Sequence, residues 1–117
     1  MKENIIKNKS FDFALRIVKL YQYLTETKRE FVLSKQILRS GSAIGALIRE
    51  SEHAESKADF IHKLSIALKE ANESDYWIEL LFKSNYLTEL EYKILFSDLD
   101  EIIRLLVSII KTSKGNK

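Results

Sequence analysis

The chain has 117 residues, enough for one domain with its own hydrophobic core, which we place over residues 1–117. It contains no cysteine, which excludes disulfides, thiolate catalysis and cysteine metal ligands, and no proline, so long helices can run without interruption. The net charge of +2 is mild, and residues 1–30 carry the excess, with seven cations and four anions. This balance lacks the strongly basic surface of a dedicated nucleic-acid-binding protein.

The apolar segments of the chain are short. The most apolar one, residues 102–110, is far too short to span a membrane and contains Arg104. The lysines near the N-terminus are not followed by the apolar run of a secretory signal. We therefore expect a cytoplasmic protein with no membrane partner.

The first predicted helix covers residues 10–26. Its apolar positions are spaced four, three and four residues apart, as on one face of a helix: Phe13, Ile17, Leu20 and Leu24. Ser10 is a candidate N-cap for this helix. Three further side chains are predicted to widen the buried face: Ala14, Val18 and Tyr21. The polar segment 25–30 is predicted to connect this helix to the next.

The second predicted helix covers residues 34–54, with Ser34 as its N-cap. The spacing of the first helix continues here at four positions: Ile37, Gly41, Ile44 and Ile48. The third predicted helix covers residues 57–83 and begins after Ser56, which precedes Asp59 by three residues in a variant of the capping box. Its seam is the most regular in the chain: Phe60, Leu64, Ala67, Ala71, Ser74, Ile78 and Leu81.

The fourth predicted helix covers residues 88–111 and begins with a capping box formed by Thr88 and Glu91. Its seam repeats the same spacing: Leu95, Leu99, Ile102, Leu106 and Ile109. No segment alternates with the period of two that strands require, so we predict none. Four amphipathic helices with short connections predict an all-α fold, an antiparallel up-down-up-down four-helix bundle.

The segment RSGSAIGA, residues 39–46, is unusual inside a helix because each glycine costs about 1 kcal/mol relative to alanine. A phosphate-binding loop is disfavoured, since no strand precedes the segment and no lysine follows Gly45. Close helix packing fits better, with Gly41 and Gly45 on one face and Ser42 and Ala46 as a second small row beside them. The spacing leaves open whether the partner helix belongs to the same chain or to another subunit.

Substitutions at Gly45 follow from the packing interpretation. At a close contact, Gly45→Leu overpacks the site, at a cost of about 1–3 kcal/mol or more. Gly45→Ala is then expected to be neutral or harmful despite its gain in helix propensity.

Residues 36–81 contain several short motifs. They are Gln36 with Arg39 and Ser40, the small-residue segment, an acidic segment at 50–55, KADF at 57–60 and KEANESDYW at 69–77. In this order they resemble the four-helix-bundle proteins that are named after the intervening sequences of 23S rRNA genes. The flanking helices also fit that family, so the resemblance covers nearly the whole chain.

The resemblance implies an up-down bundle that assembles with itself into a ring, most often of five subunits. The chain is also similar to the accessory variability protein of diversity-generating retroelements, whose ring is markedly basic and binds nucleic acid. Two features depart from these relatives: the net charge is only +2, and Leu47 stands where members of the family often carry asparagine.

Six residues are candidates for helix packing or a subunit interface, four of them small and two aromatic: Gly41, Ser42, Gly45, Ala46, Tyr76 and Trp77. Trp77 lies beside the third seam, where it either widens the core or anchors an interface, and the resemblance favours the interface. Four cations are candidates for nucleic-acid contact: Arg16, Lys19, Arg39 and Arg49. Arg39 and Arg49 are predicted to share nearly one face of the second helix.

Two histidine motifs suggest a metal site, but their positions argue against it. Glu50 with His53 and Asp59 with His62 have the three-residue spacing of di-iron bundle ligands. Both pairs flank one interhelical turn, so they are predicted to be solvated charges at a bundle end. No grouping of nucleophile, base and acid stands out. We predict no catalytic residues, no metal and no cofactor.

The sequence therefore predicts a non-enzymatic, self-assembling helical bundle that serves as a scaffold or binding module. The alternative is a nucleic-acid-binding ring that uses the cations of the first and second helices. Salt dependence of RNA or DNA binding separates the two, because phosphate contacts weaken steeply with salt.

Overall fold

The computed structural model describes residues 2–115, with side chains from Asn4 onward. Four helices account for most of these residues: α1 (Lys2–Glu26), α2 (Leu33–Ser51), α3 (Lys57–Lys83) and α4 (Glu89–Ser113). No strand occurs within this range. The predicted single domain extends beyond it at Met1, Asn116 and Lys117, which lie outside the described residues.

The helices pack as an up-down-up-down bundle with extents of 45 × 24 × 19 Å. Each helix contacts its neighbours in chain order, and α4 closes the bundle against α1. Ion pairs across the seams show the antiparallel directions, since the first turns of α1 meet the end of α2: Lys7 Nζ lies 3.3 Å from Glu52 Oε1. Likewise Lys63 near the start of α3 lies 3.2 Å from Glu50 near the end of α2. The predicted fold class is confirmed.

The core lies along the four predicted seams. Twenty apolar side chains are buried in the described part of the chain, most of them at seam positions, and α1 contributes five over about five turns: Ile6, Phe13, Ile17, Leu20 and Leu24. Two buried serines, Ser40 of α2 and Ser74 of α3, bring their hydroxyl oxygens within 3.0 Å of each other. The small side chains and this hydrogen bond let α2 and α3 pack closely without an unpaired buried polar group.

The starts of α3 and α4 have the predicted caps. Ser56 accepts a hydrogen bond from the Asp59 backbone N–H at 3.0 Å. At α4, Thr88 accepts from the Glu91 N–H at 3.1 Å, and the Glu91 carboxylate accepts from the Thr88 N–H at 2.8 Å. These reciprocal bonds satisfy N–H groups that a helix start would otherwise leave without partners.

The predicted start of α1 at Ser10 is wrong, because the helix begins at Lys2. Ser10 is buried in the helix interior, where its hydroxyl donates to the Lys7 carbonyl at 3.1 Å. Ile6, seven residues before Phe13, extends the buried face of α1 by two turns. Val18 was predicted to widen that face, but it lies on the solvent side with 39% of its surface exposed.

The predicted limits of α2 also differ from the structure. Ser34 is not the N-cap; the preceding Glu30 carboxylate instead accepts from the N–H groups of Val32, Leu33 and Ser34, at 2.7–3.2 Å. The helix ends at Ser51 rather than at residue 54. The next N–H groups bond to carbonyls three residues back, as in Glu52 to Arg49 at 3.1 Å, so the chain turns away.

Candidate functional site

The two glycines of the small-residue segment face α1 of the same chain. A methyl group added at Gly41 would lie 2.9 Å from Ile17 Cγ1 and 3.1 Å from its Cγ2. A methyl group added at Gly45 would lie 3.4 Å from the carbonyl oxygen of Ser10, an ordinary van der Waals distance. Of the two glycines, Gly41 therefore has the tighter contact with α1, and Gly45 leaves room for one more carbon atom.

Ser42 and Ala46 form the second small row, and they lie on the outer side of α2. The Ser42 hydroxyl donates to the Leu38 carbonyl at 2.7 Å, within its own helix. Ala46 is exposed. Together with Gly45 they form the floor of an open groove of about 370 Å³ between α1 and α2. We call this the α1–α2 groove; its other lining residues are Lys7, Phe11, Ala14 and Arg49.

Phe11 forms the α1 wall of this groove, and two further exposed apolar side chains follow it along α1. Phe11, Leu15 and Val18 are 47%, 48% and 39% exposed, and their spacing of four and three residues places them in one stripe on the helix. The Arg49 guanidinium lies over the Phe11 ring, 5.0 Å from its centroid. Among residues 4–115, no carboxylate forms an ion pair with Arg49.

Tyr76 and Trp77 occupy different environments on α3. Trp77 is half-buried, and its indole Nε1 donates to Glu73 Oε2 at 3.2 Å. Tyr76 is 59% exposed, and its ring meets the edge of the Trp77 ring with centroids 5.0 Å apart. Trp77 thus packs against the core of its own chain, whereas Tyr76 points away from the bundle.

The surface of α3 and α4 around Asp75 is acidic. Burial raises the pKa of the Asp75 carboxyl, and the nearby charges of Glu79 and Asp100 raise it further. The pKa of Tyr92 is raised in the same way, by burial first and then by Glu79 and Asp75. No cation within the described range pairs with Asp75 or Glu79, so this negative charge is not compensated.

Comparison with known proteins identifies the family. The family described as 23S rRNA-intervening sequence protein matches residues 2–108. The chain belongs to this family. A solved structure from Bacteroides thetaiotaomicron VPI-5482, described as a protein with unknown function from the S23 ribosomal protein family, is 58% identical. That similarity covers 95% of this chain and 99% of the other, with a TM-score of 0.94. The comparison with curated proteins finds no match.

The descriptions of the 23S rRNA-intervening sequence family and of its solved relative name no enzymatic activity. Across residues 2–115 of this family member, none of the helices is both long and apolar enough to cross a membrane.

The four cations predicted for nucleic-acid contact in this family member do not form one cluster, although Arg16 and Lys19 line the same pocket between α1 and α4. Arg16 pairs with Asp98 of α4 at 3.0 Å, and Lys19 is exposed one turn further along α1. Arg39 pairs with Glu73 and lies 3.5 Å from Glu70, both on α3.

The prediction that Arg39 and Arg49 share a face is wrong, because Arg39 turns toward α3 and Arg49 toward α1. Ten residues advance a helix by almost three turns but leave about 80° between the two side chains. The acidic partners on α3 and the Phe11 ring on α1 then hold the two guanidinium groups toward different neighbours of α2.

The histidine motifs lie where the sequence predicted, at the bundle end near the α2–α3 turn. Glu50 pairs with Lys63, and Asp59 accepts from the Glu55 N–H at 3.2 Å. His53 and His62 are exposed. Nowhere in the described part of the chain do three potential ligands of these types come together.

Proposed function

We propose that this member of the 23S rRNA-intervening sequence family is a non-enzymatic scaffold or binding module that associates with copies of itself through the α1–α2 groove. The observation that carries the proposal is the exposed apolar stripe of Phe11, Leu15 and Val18 on α1, of which Phe11 stands against the small side chains of α2 in the groove. These three side chains are exposed and lie outside the buried core of the bundle. Contiguous apolar surface beyond scattered single residues is typical of an interaction site.

The groove has the composition of an interface rather than of a small-molecule site. Fully burying an apolar side chain of this size contributes about 1.5–3 kcal/mol, so the exposed halves of Phe11, Leu15 and Val18 contribute about 1 kcal/mol each. This is too little to offset the cost of association on its own. A stable contact therefore needs further area from the partner, which favours a broad protein surface over a small ligand.

The size of the assembly stays a prediction from the resemblance, which implies a ring of five 13.6 kDa chains. Binding of RNA or DNA by such a ring is the second prediction from that source. It is the weaker one here, because Arg16 and Arg39 are already paired with carboxylates of the same chain. The assignment as a non-enzyme is supported by the absence from the sequence of any grouping of nucleophile, base and acid.

Light scattering coupled to size-exclusion chromatography tests the proposal. The wild-type chain is expected to elute with several times the 13.6 kDa chain mass. Ala46→Glu, which places a charged side chain on the groove floor, is expected to reduce that mass. Ser97→Glu on the exposed side of α4 is the matched control and is expected to leave it unchanged. A wild-type monomer at high concentration, or an Ala46→Glu protein that assembles normally, would refute the proposal.

Nucleic-acid binding is measured separately, with mixed RNA at two salt concentrations. Binding through phosphates is expected to weaken steeply as salt rises. No binding at low salt would remove that alternative.

A further inference from the structure

We infer that the end of the bundle beside the α2–α3 turn binds an uncharged small molecule that has an apolar body and one hydroxyl group. A cavity of about 450 Å³ opens there, and all four helices contribute to it. We call it the end cavity; its inner wall consists of Ile6, Ile48, Ser51, Phe60, Leu64 and Ile109. This inference does not depend on self-association, because all of these residues belong to one chain.

The inner wall is built from side chains of the core. Ile6, Ile48, Leu64 and Ile109 are each only 1–3% exposed, and Phe60 is half-buried beside them. Protein interiors contain few voids larger than a water molecule, so apolar residues this buried normally have close neighbours on every side. Here they line open volume at the bundle end, as the walls of a binding pocket do.

The size of the end cavity sets the size of its ligand. An apolar cavity of about 150 Å³ lined by leucine, isoleucine and phenylalanine stays dry and binds benzene. The end cavity has about three times that volume, which corresponds to a ligand of about twelve to eighteen non-hydrogen atoms. A molecule of this size reaches the cavity from solvent, because Glu52 and Ser56 at its mouth are exposed.

The charges around the mouth favour an uncharged ligand. The Glu52 carboxylate is already paired with Lys7 of α1 at 3.3 Å, and Lys63 of α3 is paired with Glu50 at 3.2 Å. The inner wall itself carries no charged side chain among the described residues. A carboxylate or an ammonium group taken into this apolar volume would lose its hydration without gaining a partner, which is costly.

Ser51 supplies the polar contact inside the end cavity. Its side chain is buried, and its hydroxyl donates to the Ile48 carbonyl at 2.6 Å, so the hydroxyl hydrogen is already used. The oxygen still has capacity to accept a hydrogen bond. The matching ligand group is therefore a donor without charge, such as an alcohol or a phenol. One buried polar group in an apolar pocket is enough to orient a small ligand.

Three probes with the same apolar body separate these requirements: para-butylphenol, butylbenzene and para-butylbenzoate. Titration of the full chain with isoleucine methyl groups labelled for NMR reports both the affinity and the place of binding, in a monomer or in an assembly. The phenol is expected to shift the methyl signals of Ile6, Ile48 and Ile109. Ile17 and Ile37, each eleven residues along its helix from Ile6 or Ile48, or about 16 Å, are expected to be unaffected.

The selectivity among the probes is the first test. At neutral pH the benzoate is expected to bind at least about tenfold more weakly than the phenol, because its charge has no partner in the cavity. Butylbenzene is expected to bind between the two, since it keeps the apolar contacts and lacks the hydroxyl group.

Two variants test the site itself. Ala54→Phe places a large side chain at the mouth of the end cavity and is expected to weaken phenol binding at least about tenfold. Ala58→Phe, in the exposed first turn of α3, is the matched control and is expected to bind normally. Ser51→Ala keeps the cavity and removes the acceptor, so it is expected to weaken phenol binding by about three- to tenfold and to leave butylbenzene unchanged. Circular dichroism checks that each variant keeps its helical content.

Four results would overturn the inference. The cavity is not a binding site if none of the probes binds, or if the shifted signals belong to isoleucines away from the bundle end. Unaltered binding by folded Ala54→Phe would contradict the location in the same way. Benzoate binding as tight as that of the phenol would overturn the requirement for an uncharged ligand. An equal effect of Ser51→Ala on the phenol and on butylbenzene would overturn the hydrogen bond to Ser51.

Discussion

The contact between Gly41 and Ile17 makes a specific prediction about two alanine substitutions four residues apart. Alanine gains up to about 1 kcal/mol over glycine in a helix, and this gain applies to both positions. At Gly41 the new methyl group would lie 2.9 Å from Ile17 Cγ1, closer than carbon atoms pack. Ile17 is fully buried and branched at Cβ, so it cannot rotate away without disturbing the core.

The sizes of the propensity gain and of the overpacking cost decide whether each alanine substitution stabilises or destabilises the protein. Overpacking a well-packed core costs about 1–3 kcal/mol, so Gly41→Ala is expected to lower the free energy of unfolding by about 0–2 kcal/mol after the propensity gain. At Gly45 the distance of 3.4 Å to the Ser10 carbonyl oxygen is an ordinary contact, so Gly45→Ala is expected to raise the free energy of unfolding by up to about 1 kcal/mol. The structure thus replaces the sequence-based expectation that Gly45→Ala is neutral or harmful.

Urea denaturation followed by circular dichroism measures both variants against wild type. All samples are compared at one protein concentration, because self-association makes the apparent stability depend on concentration. A double-mutant cycle with Ile17→Ala isolates the contact: removing Cγ1 and Cγ2 is expected to abolish the penalty at Gly41, giving a favourable coupling of about 1 kcal/mol or more. Equal stabilisation by Gly41→Ala and Gly45→Ala would refute the reasoning.

Two carboxylates give predictions with opposite pH dependence. Although burial raises the pKa of Glu30, its bonds to the N–H groups at the start of α2 lower it overall, so the charged form stabilises the fold. Glu30→Gln is expected to cost about 1 kcal/mol near neutral pH, and urea titrations should show the difference from wild type shrinking as pH falls through the lowered pKa; a constant difference down to about pH 3 would contradict this. The pKa of Asp75 is raised, chiefly by burial and then by Glu79 and Asp100, so its charged form destabilises the fold and stability falls as pH rises through that pKa. Asp75→Asn is therefore expected to stabilise the protein at neutral pH and not in acid, and a loss of stability at pH 7 would contradict the assignment.

Most of the fold could be predicted from the sequence because helical periodicity and caps are local properties. The seam of α3 and its N-cap at Ser56 depend only on residues within one or two turns of each other. The capping box of Thr88 and Glu91 is likewise complete within four residues. The acidic residues and the two histidines that flank the α2–α3 turn could also be placed at a bundle end from the chain order alone.

The limits of α1 and α2 could be predicted less well because each depends on packing. Ser10 has the side chain of a cap, but burial beside Gly45 keeps it inside a continuous helix. Ser34 has the same chemistry, yet Glu30 supplies the acceptor oxygens. Short polar side chains are equally compatible with a cap and with an interior position, and only the neighbouring elements decide between them.

The sequence by itself determined that four amphipathic helices with these seams form a bundle, because apolar periodicity is written along each helix. Only the tertiary structure decided which face of each helix meets which neighbour. It placed Gly41 against Ile17, turned Arg39 toward α3 and Arg49 toward α1, and left Phe11 exposed beside Ala46. The spacing of apolar residues by three and four positions specifies the width of the apolar stripe on a helix. The rotation of that stripe against a neighbouring helix is set by how the side chains of both helices interlock.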